Sequence, residues 1–209
     1  MIDYYEKYRE VANDKFKNHI ATIVENTDSL ISIDFRNKNW SSSYYINYII
    51  DKRYGTLIIS GDLGYCIAEW SHPNDASSIK SLIKDDPEYF ISKFATSTDK
   101  TYYDEDKLYS DIMELVSDTQ LEDARSMWDS EWHRNSNDET YTFEDDLKYY
   151  IHWSIFRNED RISEELQTFV LELLDIDLYE MSYIGRAIAP RVYLWIFGYL
   201  MACEQLGLW

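Results

Sequence analysis

Tyr5, Tyr8, Ala12, Phe16, Ile20 and Ile23 recur every three or four residues, a spacing that puts them on one helical stripe and predicts a helix over residues 3–25. Asn26-Thr27-Asp28 ends it. Past that break the apolar residues come in short runs rich in Ile and Tyr: LISIDF (30–35), SYYINYIID (43–51), TLIIS (56–60) and YCIAEW (65–70). These predict four strands. Arg53-Tyr54-Gly55 turns the chain between the second and third, and Gly61-Asp62-Leu63-Gly64 between the third and fourth. Glycine at both ends of a short step supplies positive φ and close backbone approach, which is hairpin chemistry. The runs therefore read as a small antiparallel sheet, with Asp62 hydrogen-bonding its own loop. A phosphate cradle would need more glycines, a lysine and a helix after the turn.

The second half has helical spacing and helix-start signals. Asp86-Pro87 opens residues 86–96, and acids fill the first turn of 104–116. Thr119 suits a cap for 120–134, and NSNDET (135–140) is a polar loop. Thr142 with Asp145 resembles a capping box ahead of 142–157, and Ser163 starts 163–174 in the same way. Pro190 and Gly207 bracket an apolar helix over 189–206. Its apolar core, VYLWIFGYLMAC, is shorter than the roughly 20 residues a membrane span needs, so a buried helix is expected. The fold class is α+β: an N-terminal helix, a sheet of about four strands, then a mainly helical half. The expected regions are 1–100 (helix and sheet), 101–180 (acidic helices) and 181–209 (buried C-terminal helix), together one compact domain.

Charge sharpens this division. The net charge of −19 is uneven: residues 1–100 hold 15 Asp/Glu against 12 Lys/Arg, 101–180 hold 23 against 6, and 181–209 hold 1 against 2. A basic patch able to bind DNA or RNA phosphates directly is absent from the sequence. An acidic face suits a basic protein partner; the plainer reading is that it keeps a chain with 19 Tyr soluble. Many of those Tyr are expected at the surface, since each buried hydroxyl needs a partner. Cys66 and Cys203 read as buried reduced thiols, and with no signal-peptide pattern a bacterial cytosolic location is expected.

The chemistry-bearing residues are few. His19, His72, His133 and His152 have no HExxH spacing, and there is no GxSxG elbow, so no cofactor is expected. Asp104, Asp106, Glu144 and Asp145, with His133, are the candidates for a metal-dependent nuclease; acids in a helix's first turn, however, already complement the helix dipole. A surface reading uses more of the sequence. Asp111, Glu114 and Asp118 recur every three or four residues, Glu122, Asp123, Asp129 and Glu131 continue the series, Asp138, Glu139, Glu144 and Asp145 follow, and together they would form rows of negative charge. Trp128, Trp132 and Tyr141, with Tyr102, Tyr103 and Tyr109, would serve as aromatic anchors among them. The alternative is an ordinary solvated face with the aromatics turned inward.

GTLIISGDLGYCIAEW, then DPEYFISKFATS, YDEDKLYSDI and the C-terminal YLWIFGYLMACEQLG together resemble a family of small bacteriophage and prophage proteins carrying an ISGD(L/M)G strand-turn motif. The similarity covers residues 30–115 and 190–207; the acidic helices between them match poorly. It implies a mobile-element origin and a role against host defence, since some anti-CRISPR proteins are similar in size and acidity. It carries over no catalytic residue. The leading expectation is an inhibitor of a Cas nuclease or its guide-RNA complex, acting by acidic mimicry of nucleic acid. The alternatives are a nuclease acting on guide RNA or another phosphodiester, and an acidic interaction module unrelated to defence.

Overall fold

A computed structural model describes residues 4–39, 43–131, 141–157, 162–176 and 184–208. The chain forms two compact units, residues 1–100 with 189–209, and residues 101–188.

In the first unit, helix α1 (Tyr4–Phe16) leads into an antiparallel sheet whose strands follow chain order: β1 (His19–Asn26), β2 (Leu30–Asn37), β3 (Ile46–Asp51), β4 (Thr56–Gly61), β5 (Cys66–Glu69) and β6 (Phe94–Ser97). Between β5 and β6 lie α2 (Ala76–Asp85) and α3 (Pro87–Ser92). The class is α+β as expected, but the sheet has six strands rather than four.

The two additional strands correct two helix expectations. The helix over 3–25 stops at Phe16, and His19 begins β1. Ile20, Ile23 and Val24, expected on a buried stripe in the first two cases, are 50%, 37% and 67% exposed, whereas Ala12 and Phe16 are fully buried. β-Branched Ile20, Thr22, Ile23 and Val24 favour the extended chain once a partner strand is available, and β2 supplies it. At the other end, the helix expected over 86–96 closes after Ser92, and Phe94–Ser97 pairs with β5.

The buried face is set by period two: Ile31, Ile33 and Phe35 on β2, Ile46, Tyr48 and Ile50 on β3, Leu57 and Ile59 on β4. Against it packs α8 (Pro190–Leu206), which also contacts α1 and α2. This helix is buried on nearly every side, and it ends where Gly207 takes the left-handed conformation (φ 64°) and Leu208 N–H donates to Cys203 O. Both thiols, Cys66 and Cys203, are buried and unbonded to one another. No helix among the described residues is long and apolar enough to cross a membrane.

Most of the described tyrosines are exposed or half-buried, as expected, and the two at the centre of the first unit find acceptors. Tyr48 and Tyr199 are fully buried, and each hydroxyl donates to a helix carbonyl, Trp195 O at 2.8 Å and Ala76 O at 2.9 Å. Gly198 makes the first contact possible, because a Cβ there would stand 2.6 Å from the Tyr48 hydroxyl.

The Gly61–Gly64 turn is architectural. Gly64 N–H donates to Gly61 O at 3.1 Å, and Asp62 N–H donates to Tyr45 O at 3.0 Å. The Asp62 carboxylate reaches beyond its own loop to accept from Tyr44 N–H at 2.8 Å, so it fastens the start of β3.

The second unit, an insertion between β6 and α8 in the chain, begins with β7 (Thr101–Tyr103) and ends with β8 (Arg186–Ile188), paired antiparallel. Between them run α4 (Glu105–Leu115), α5 (Asp118–Glu131), α6 (Phe143–Arg157) and α7 (Glu164–Leu174). Leu108, Ile112, Trp128, Phe143, Leu147, Phe169 and Val170 lie in its core.

Two outcomes follow. Gly61 sits at φ +142°, and a Cβ there would lie 2.2 Å from Tyr45 O, so Gly61→Ala should destabilise the protein by roughly 1–3 kcal/mol in chemical denaturation. A change within about 0.5 kcal/mol would contradict this. His19 is buried against Phe16 and Phe35, and burial pushes its pKa below the ordinary value despite an acceptor at Tyr44 O. The unfolded chain therefore takes up the proton first, and stability is present above about pH 6.5 and lost as pH falls. Stability profiles from about pH 7 to about pH 5 should fall more steeply for the wild type than for His19→Phe; parallel profiles would contradict it.

Candidate interaction surface

Each helix of the insertion disposes of its acids differently, and capping comes first. Asp104 caps α4, its carboxylate accepting from Lys107 N–H at 2.9 Å and from the Tyr102 hydroxyl at 3.0 Å. Thr142 and Asp145 form the capping box read from the sequence: Asp145 Oδ2 accepts from Thr142 N–H at 3.0 Å, and Asp145 N–H donates to Thr142 Oγ1 at 3.3 Å. The cap of α5 is Ser117 rather than Thr119, with Ser117 N–H donating to Gln120 Oε1 at 3.1 Å and Gln120 N–H to Ser117 Oγ at 3.3 Å.

Other acids hold elements together. Asp111 accepts from Lys107 Nζ at 2.9 Å and from Gly185 N–H at 2.8 Å, so it pins the residue before β8 to α4. Glu144 pairs with Arg125 of α5, whose Nε donates at 2.8 Å. Asp146 takes two donors at once, Trp128 Nε1–H at 2.6 Å and the Tyr141 hydroxyl at 3.0 Å. Burial, then the hydrogen bond and charge of Asp146, push the Tyr141 pKa up to about 12.

Trp128 is therefore a core residue joining α5 to α6, and Tyr141 is half-buried beside it, centroids 6.4 Å apart. Neither stands out from the surface as an anchor. Tyr103 is likewise buried, and Lys148 Nζ lies 5.1 Å from the Tyr109 ring centroid. Trp132, His133, Asp138 and Glu139 lie outside the described residues, as does the Glu131 side chain.

Of the candidate acids other than these, a smaller set stays outward. On α4, Asp106, Ser110 and Glu114 are exposed at i, i+4 and i+8, opposite buried Leu108 and Ile112. On α5, Asp118, Glu122, Arg125 and Asp129 are exposed at i, i+4, i+7 and i+11, opposite buried Ala124 and Trp128; Asp123 is exposed beside them. The acids thus form two helix-length rows, and Arg125 interrupts the second. Asp104, Asp111, Glu144 and Asp145, expected to share one site or face, do not join them.

The four described nuclease candidates do not converge either. Asp104 and Asp145 cap different helices, Glu144 faces Arg125, and Asp106 stands exposed on α4. Among the described residues no three His, Cys, Asp or Glu side chains come together as a metal-binding group. His152, on the outside of α6, contacts Glu105 at 3.0 Å.

Sequence reasoning passed over two features. Asp146 looks like one more first-turn acid, and only its tertiary partners reveal the hub. The aromatic run on α6 includes Tyr149, Trp153 and Phe156 at i, i+4 and i+7, a spacing that reads as a core stripe, yet Tyr149 and Phe156 are 53% and 70% exposed. No family model, curated protein or solved structure matches the chain.

Removing the hub has two readouts. Asp146→Ala leaves the buried Trp128 N–H without its acceptor and should cost roughly 1–3 kcal/mol of stability. In the same variant the Tyr141 hydroxyl should ionise at lower pH, part of the way back towards about 10, because burial persists while the carboxylate is gone. Ring-carbon NMR of labelled Tyr141 checks this, and an unchanged titration would contradict it.

Proposed function

We propose that the protein is a non-enzymatic acidic binder that occupies a basic, nucleic-acid-binding groove on another protein. The exposed carboxylates of α4 and α5 carry this reading: Asp106, Glu114, Asp118, Glu122, Asp123 and Asp129, on an insertion that holds most of the chain's net charge. Asp118 and Glu122, one helical turn apart, stand about 5–6 Å from one another, while Asp106 and Glu114 are two turns apart across Ser110, and complementary potential steers such a surface to a cationic partner. The resemblance to phage proteins favours a host defence nuclease of the CRISPR class, met with or without its guide RNA, as that partner. The same surface would serve an interaction module outside defence, with a different basic partner. The nuclease alternative draws less support, because three of its acids have structural roles.

The test is binding to a Cas nuclease, with and without guide RNA, across a salt series. Affinity should fall as salt rises, and Asp118, Glu122, Asp123 and Asp129 changed together to Lys should weaken binding by roughly tenfold or more. Arg125→Ala, which removes the cation from the α5 row and releases Glu144, should tighten it. Binding that ignores salt and survives the fourfold reversal would refute the mechanism. Metal-dependent cleavage of RNA, abolished by EDTA, would favour the nuclease instead.

A further inference from the structure

The aromatic run on α6 builds a feature of another kind. Ile151 and Ser154 are buried, while Tyr149, Trp153 and Phe156 follow at i, i+4 and i+7 along the outer side of the helix. Tyr149, Tyr150 and Trp153 line a cavity of about 250 Å³ with Ser163 and Glu165 of the α7 start. The Tyr149 ring stands at 79° to Tyr150 with centroids 5.8 Å apart, and at 64° to Trp153 with centroids 6.1 Å apart. The rings therefore meet as a corner and not as a stack.

The walls are fixed from the core side. Tyr150 packs on Phe169 with centroids 4.8 Å apart. Ser163 N–H donates to Ser154 Oγ at 2.7 Å, and Ser163 Oγ caps α7 by accepting from Leu166 N–H at 3.3 Å. Glu165, in the exposed first turn of α7, adds a negative charge; burial, then Asp146, Tyr149 and Glu165, raise the pKa of the Tyr150 hydroxyl.

Three aromatic side chains and Glu165 line one small space, and that combination selects for charge. An anion would meet the charge of Glu165, whereas an organic cation is attracted by that charge and by each ring face it reaches. The volume is below the roughly 300–1,000 Å³ of typical small-molecule sites and suits a single head group. We propose that this cavity receives one organic cation, the alkylated ammonium or guanidinium head of a basic side chain on a partner. The assignment is independent of the acid rows on α4 and α5.

The full chain is titrated with the Nα-acetyl amides of trimethyllysine, arginine and norleucine, the last a neutral control, while the Trp153 indole N–H and the Tyr149 and Tyr150 rings are followed by NMR. Saturable shifts are expected with at least one of the two cations and none with norleucine; which cation wins distinguishes ammonium from guanidinium. Tyr149→Ala, a change to an exposed side chain, should weaken the response roughly fivefold, and Trp153→Ala by at least as much. Glu165→Gln should weaken it less and reduce its salt dependence. An equal response to norleucine, a cation response untouched by Tyr149→Ala, or no response to either cation because the cavity is closed in solution would each overturn the proposal. Charge reversal on α5 should leave these shifts in place, so the two readings fail separately.

Discussion

The Tyr48 hydroxyl donates to Trp195 O at 2.8 Å inside a core where both residues are fully buried, and the first unit depends on that contact. A buried hydroxyl without an acceptor costs roughly 1–3 kcal/mol, so β3 and α8 must meet with little tolerance, and Gly198 removes the one side chain that would keep them apart. Yet α8 follows the insertion in sequence. The chain must leave the sheet unit at Lys100 and come back to the same place at Ala189, whose N–H donates to Lys100 O at 2.9 Å. The β7–β8 pair extends that closure into the insertion, and Asp111 reinforces it through Gly185.

The insertion builds its own core. Its acids divide accordingly. Those facing inward or along helix ends have structural partners: Asp104 and Asp145 cap their own helices, while Asp111 at the stem, Glu144 to Arg125, and Asp146 to Trp128 and Tyr141 join elements. Apart from these, the candidate acids left outside among the described residues are fewer than the sequence suggests, Asp106 and Glu114 on α4 and Asp118, Glu122, Asp123 and Asp129 on α5. On this account the same residue type fixes the fold and, at a different helical phase, supplies the charge that a basic groove would meet.

Local chemistry was legible in the residues and long-range pairing was not. Asp86-Pro87, Thr142 with Asp145, Ser163, and Pro190 with Gly207 mark helix ends through contacts within a few residues, and the structure has each of them. β1 was missed because Ile20 and Ile23 continue the spacing of α1; what decides their state is β2, and Gln205 of α8, which accepts from Ala21 N–H and donates to His19 O. The three-residue strands β7 and β8 exist only through each other. Trp128 has the look of an interface anchor until its indole N–H is seen on Asp146. The α6 aromatics form a cavity wall only when α7 folds back beside them.

The central claim is that two short carboxylate rows, and not the chain's acidity at large, make the binding surface. Amide chemical-shift mapping of the full chain against a short oligolysine peptide tests it most directly. The account predicts that the largest shifts cluster at Asp106, Glu114, Asp118, Glu122, Asp123 and Asp129 and collapse with added salt. Shifts spread evenly over the acids of the sheet unit, or centred on the capping carboxylates Asp104 and Asp145, would contradict it.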